Sequence, residues 1–136
     1  MPKGGKEADM PDYLGIVIKQ SLSNPDLIDD LNVIATKVVG TWDFLLVTVA
    51  EEHLHDTMVR LQNHMIPIET DCWYNHFFRD DQLIVVFQNK IWTTTTNPES
   101  WNDVIQYGFN HGIPLEQLDF HPRTIEDAYA FFGIDK

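Results

Sequence analysis

Cysteine is nearly absent from this chain: Cys72 is the only one in 136 residues. An intramolecular disulfide and any paired-cysteine metal or redox motif are therefore excluded. Basic residues are scarce as well. Nine Lys and Arg stand against 21 Asp and Glu, for a formal charge of −12. Affinity for nucleic acid rests largely on cations that neutralise phosphates, so this balance argues against nucleic acid, and equally against an anionic membrane, as a partner. No apolar run approaches the ~20 residues of a bilayer span, and no signal-peptide pattern opens the chain. The serines are Ser21, Ser23 and Ser100, none in a GxSxG context, and no GxGxxG or Walker A loop occurs. The expectation is a cytoplasmic protein that calls for no cofactor.

What the chain does have is apolar residues, 43% of its length hydrophobic and 12% aromatic, enough for one core at this size. The opening MPKGGKEADMP is polar and Gly-rich and reads as a flexible tail over residues 1–11, ahead of a single domain over 12–136. The acids come as scattered pairs, among them Asp29-Asp30 and Asp80-Asp81. That is the pattern of a solvated surface, whereas mimicry of a phosphate backbone wants dense carboxylate rows.

Tyr13 to Leu22 alternates, with Leu14, Ile16, Ile18 and Leu22 on one side, as a half-buried strand does. Asn24 and Pro25 offer an N-cap and first position for a short helix. Asn32 to Val39 is β-branched and suits a strand, turned by Gly40-Thr41 into a second strand from Trp42 to Ala50; one long helix from Pro25 to Val39 competes. Leu54, Met58, Leu61 and Met65 make one stripe of a helix over Glu51–Met65. After the aromatic segment, Asn97-Pro98 starts a further helix with Trp101, Val104, Ile105 and Gly108 inward. Thr124 caps a last one carrying Ile125, Ala128, Tyr129 and Phe132. The fold class is α+β. The order read is ferredoxin-like, β-α-β-β-α-β, a mainly antiparallel sheet with extra C-terminal helices.

Residues 72–96 read as three antiparallel strands with turns at Asp80-Asp81 and Asn89-Lys90. Phe78 then pairs with Leu83, His76 with Val85 and Tyr74 with Phe87; across the second turn Phe87 pairs with Trp92 and Val85 with Thr94. One face carries Cys72, Tyr74, His76, Phe78, Leu83, Val85, Phe87 and Trp92, the other Trp73, Asn75, Phe77, Ile84, Val86 and Ile91. Neither is a solvent face, so each needs a cover. The long helix supplies one. The other is either the C-terminal helices or a second copy of the chain, with Trp73, Phe77 and Ile84 at a two-fold contact; a homodimer is expected.

The runs WYNHFF, LIVVFQNKIW and YGFNHGIPLEQLDF, within residues 71–120, resemble a group of short conserved prokaryotic proteins of unknown function. The group has no activity to transfer, and the resemblance implies only a compact α+β domain.

Candidate chemistry centres on Cys72, Tyr74 and His76, which share one face of one strand. Cys72 and His76 lie about 13 Å apart along it, too far for direct thiolate–imidazole pairing. His76 suits a ligand contact or general base, against the plainer role of a half-buried histidine bonded to a carbonyl or hydroxyl. Trp92, like Trp73, offers a stacking surface, and Arg123 a carboxylate clamp, set against core packing and surface ion pairing respectively. Glu51 with His55, and His53 with His64, share helix faces, but HExxH is absent and no metal site is expected. These features favour a non-catalytic binding or assembly module for a protein partner or small ligand. The alternative is a small enzyme with a pocket around His76, Tyr74 and Cys72. An acidic nucleic-acid mimic is a weaker one.

Overall fold

A computed structural model describes residues 12–134. The flexible tail expected over residues 1–11 lies outside the described residues. Strands β1 (Tyr13–Ile18), β2 (Asn32–Val39) and β3 (Trp42–Val49) precede helix α1 (Glu51–His64), and β4 (Tyr74–Arg79), β5 (Gln82–Phe87) and β6 (Lys90–Thr95) follow it. Two C-terminal helices, α2 (Asn102–Asn110) and α3 (Ile125–Phe132), complete the order. All six strands form one antiparallel sheet in the order β2-β3-β1-β4-β5-β6.

The ferredoxin-like order is not what forms. Three strands, a helix and three strands replace β-α-β-β-α-β, because the β1–β2 connection contains no α-helix. Asn24 does cap, its side chain accepting from the Asp26 N–H at 3.0 Å, but Pro25–Asp30 is a 3-10 segment. The β-branched run after it pairs with β3, so the long-helix alternative fails too. Val39 lies opposite Trp42, and Gly40, at φ 62°, supplies the left-handed residue of the turn.

β1 departs from its reading in a second way. It ends at Ile18, all six residues are buried, and Leu22 packs on the opposite side of the sheet from Leu14 and Ile16. A central strand covered on both faces has no reason to alternate.

Each face has its own core. Leu54, Met58 and Leu61 of α1 pack with Tyr13, Val17, Val47, Phe77, Ile84 and Val86. On the other face, Val104 of α2 and Ala128 and Phe132 of α3 pack with Leu14, Leu46, Phe78, Val85 and Phe87. The two faces of the meander are as the alternation predicts. Phe77 and Ile84 lie buried beneath α1, so neither is open to the two-fold contact expected through Trp73, Phe77 and Ile84; Trp73 packs half-buried against the same cluster. Ile125, at the start of α3, is 43% exposed.

The β4–β5 register is the expected one, but β6 is shifted by two: Phe87 lies opposite Lys90 and Val85 opposite Trp92. A shift of two leaves every side chain on its face.

A buried polar knot closes the β1 end. The Asn75 carbonyl oxygen accepts from the Ile18 N–H at 2.7 Å, its amide donates to Ser21 Oγ at 3.0 Å, and Ser21 Oγ donates to the Ile18 carbonyl at 2.7 Å.

Candidate functional site

The C-terminal helices cover the middle of their face and leave its β1–β3 end open. Antiparallel pairing sets Ile16 opposite His76 on one side and Ile18 opposite Phe44 on the other, which makes a floor of sheet side chains. Above it lies a cavity of about 330 Å³. Trp42 and Phe44 of β3 wall it on one side, Trp73 and Tyr74 on another, and Phe131 of α3 closes a third. The segment after α2 arches over the mouth, lining it with the buried Ile113 and bringing Gln117, Asp119 and His121 to the rim, with Asp71 across from the strand side. The rings support one another at contact distance: Trp42–Trp73 centroids stand 5.3 Å apart, and Phe44 meets Phe131 edge-on at 5.4 Å.

Three of the five residues singled out from sequence line this cavity: Cys72, Tyr74 and His76. The other two sit elsewhere. Trp92 packs edge-on against Tyr107 of α2 at 5.7 Å, with Lys90 Nζ 4.7 Å from its ring centre. Arg123 lies over the Trp101 ring at 4.9 Å and donates to the Asp119 carbonyl at 3.3 Å. The indole N–H groups of Trp73 and Trp92 are buried, with no hydrogen-bond partner among the described residues.

His76 is 3% exposed, and its Nε2–H donates to the Pro122 carbonyl at 2.7 Å. A carbonyl only accepts, so the proton sits on Nε2 and the lone pair on Nδ1. Burial drives its pKa down to about 4, against the opposing pull of the Pro122 carbonyl and the Asp119 carboxylate. The ring is a neutral imidazole at neutral pH. Tyr74 donates to the Gln117 carbonyl at 2.6 Å, which ties the rim segment to the floor; burial and the nearby Asp119 hold the phenol proton on well above its usual range. Cys72 is pushed up to about 11 by burial and then by Asp71. None of the three carries an activated charge at neutral pH, and a thiol this high is a poor nucleophile. The arrangement can hold an apolar body and offer hydrogen bonds. It does not assemble a nucleophile with its base.

Among the described residues no group of three or more His, Cys, Asp or Glu is placed to hold a metal ion. No described helix is long and apolar enough to cross a membrane. No family model, no curated protein and no solved structure matches the chain.

Reading the sequence alone missed Trp42, Phe44, Phe131, Asp71 and Asp119. Trp42 and Phe44 were legible in principle: they alternate at the start of a strand and stand on the same face as Ile16 and Ile18. Phe131 and Asp119 carry no local signal, since only the tertiary path of the C-terminal segment brings them to the cavity.

Proposed function

We propose that this chain is a non-catalytic cytoplasmic binding module that takes a small molecule into the cavity between the sheet and the C-terminal segment. The observation that carries this reading is the cavity itself, about 330 Å³, aromatic on three sides and polar at the mouth. Small-molecule sites typically measure about 300–1,000 Å³, with mostly apolar walls and a few convergent polar groups. The enzyme alternative places catalysis on Cys72, Tyr74 and His76, and is weakened because Cys72 and Tyr74 hold their protons and His76, with its pKa lowered to about 4, is a weak base. The test is calorimetric titration with a panel of small amphiphilic compounds, repeated on Trp42→Ala. Saturable binding by some members, lost in the variant, is the expected result. Uniform failure to bind, or binding indifferent to Trp42, overturns the reading.

A specific observation bears on self-association. β2 is an edge strand that pairs with β3 alone among the described residues, and it exposes Ile34, Val38 and Val39, the last two at 66% and 46%. The outer strand β6 is guarded: the Trp101 indole donates to the Thr95 carbonyl at 2.7 Å and Ser100 bonds to Thr94 and Thr95. Lysine commonly protects a sheet edge. Lys37 of β2 instead donates to the Phe131 carbonyl at 2.8 Å. In this reading a homodimer joins β2 to β2 across a two-fold axis. Light scattering at micromolar concentration should show a dimer that Val38→Lys converts to monomer; a monomeric native chain sinks the idea.

A further inference from the structure

The chemistry of the cavity limits what it can take. Its lining includes two carboxylates, Asp71 and Asp119, and, among the described residues, no lysine or arginine. Two basic side chains stand close by and both are committed: Arg123 over the Trp101 ring and on the Asp119 carbonyl, and Lys37 over the Phe131 ring and on the Phe131 carbonyl. His76, at the floor, is neutral and its Nε2–H is spent on Pro122. An anionic ligand entering here would lose its water and meet two carboxylates at the mouth, with the neighbouring Lys37 and Arg123 already engaged by ring faces and carbonyls.

A cation meets the opposite situation. Aromatic faces attract ammonium groups through their ring quadrupole, most strongly at Trp. Trp42 and Trp73 form one corner of the cavity, with Phe44 and Phe131 completing the wall. The fold already places one ammonium in this way: Lys37 Nζ lies 4.5 Å from the Phe131 ring centre, reaching it from the edge strand. The charge of Asp119 is felt at both Tyr74 and His76, and at His76 the charges of His121 and Arg123 oppose it. The net charge of −12 adds attraction at long range.

Resting on the cavity as a small-molecule site, we propose that its ligand is an organic cation: a substituted ammonium with an apolar body seated between Trp42, Phe44, Trp73 and Phe131 and its charge met by Asp71 and Asp119. Neutral molecules of the same shape fit the walls and forgo the charge. Anions are excluded.

Three probes share one skeleton and differ only in the head group: 3-phenylpropylammonium, 3-phenyl-1-propanol and 3-phenylpropionate. Each is titrated into the full chain by calorimetry at low and at moderate salt. The expected order is ammonium, then alcohol, then carboxylate, with the ammonium favoured over the alcohol by about fivefold or more and that preference shrinking as salt rises. Asp119→Asn and Asp71→Asn should each weaken the ammonium by about two- to fivefold and leave the alcohol unchanged. Both carboxylates are solvent-exposed, so neither change threatens folding. Equal binding of ammonium and alcohol, or a preference for the carboxylate, overturns the charge assignment and leaves the cavity reading standing. Failure of all three to shift the Trp42 and Trp73 indole N–H resonances of the unsubstituted protein removes the cavity reading, and the charge assignment with it.

Discussion

Lowering the pH should destabilise this protein through one ring. His76 is buried and neutral, with its pKa lowered from 6.5 to about 4 by desolvation. The unfolded chain therefore takes up the proton first. Stability contributed by the neutral ring is fully present above about pH 6.5 and is lost as pH falls towards 4. From about pH 7.5 to about pH 5.5 the unfolded ring gains most of a proton and the folded one almost none, which costs about 1.4 kcal/mol at 1.36 kcal/mol per pKa unit. That window stays above the sequence pI of about 4.6, where an acidic chain loses its mutual repulsion. With a urea m-value of about 1–3 kcal/mol/M, the unfolding midpoint should fall by roughly 0.5–1.4 M. Tryptophan fluorescence in urea at the two pH values reads this directly. His76→Gln keeps an amide N–H for the Pro122 carbonyl and cannot titrate, so its midpoint should hold nearly constant between them. An unchanged native midpoint refutes the reasoning. So does a His76→Gln midpoint that falls as far as the native one, because the dependence would then belong to other groups.

Three further outcomes follow from packing and protonation. Gly15→Ala places a methyl group into the Phe77 ring, which is fully buried, and should cost about 1–3 kcal/mol in chemical unfolding; a neutral result would mean the β1–β4 contact is looser than described. Asn75→Ala strands the Ile18 N–H and removes the donor to Ser21 Oγ, and should cost a similar amount, about 1–3 kcal/mol, by the same assay. Cys72, raised from 9.0 to about 11, loses thiolate hundredfold but gains nucleophilicity, so iodoacetamide should alkylate it about tenfold more slowly than a cysteine peptide at neutral pH. Faster alkylation than the peptide would revive the enzyme alternative.

Local chemistry made some of this legible in the sequence, and tertiary contacts decided the rest. Gly40 and the Asp80-Asp81 pair each sit where a two-residue hairpin needs them, so the β2–β3 turn and the β4–β5 register were readable, whereas the irregularity between Val33 and Ala35 carries no local signal. The second meander turn was placed one residue late. Gln88 accepts from the Ile68 N–H at 3.2 Å, and Asn89 accepts from the Tyr107 hydroxyl at 2.5 Å; these long-range bonds fix the turn at Gln88-Asn89. Period-two geometry absorbed that error, which is why both apolar faces were assigned correctly. The fold order was not legible, because Asn24 and Pro25 signal a helix start and say nothing of whether an α or a 3-10 segment follows. Within the site, Tyr74 and His76 were found from strand periodicity. Trp92 was misplaced in space, since its face is right but it stands two strands away from His76, under α2. Neither a carboxylate clamp nor a surface ion pair describes Arg123, because the Trp101 ring that holds it lies 22 residues earlier in the chain.

The most direct measurement is a crystal structure grown in a mixture of small amphiphiles. Bound density between Trp42, Trp73 and Phe131, over Ile16 and His76, is the predicted result. A structure in which Phe131 swings inward to fill that space, with every compound elsewhere or absent, would contradict it.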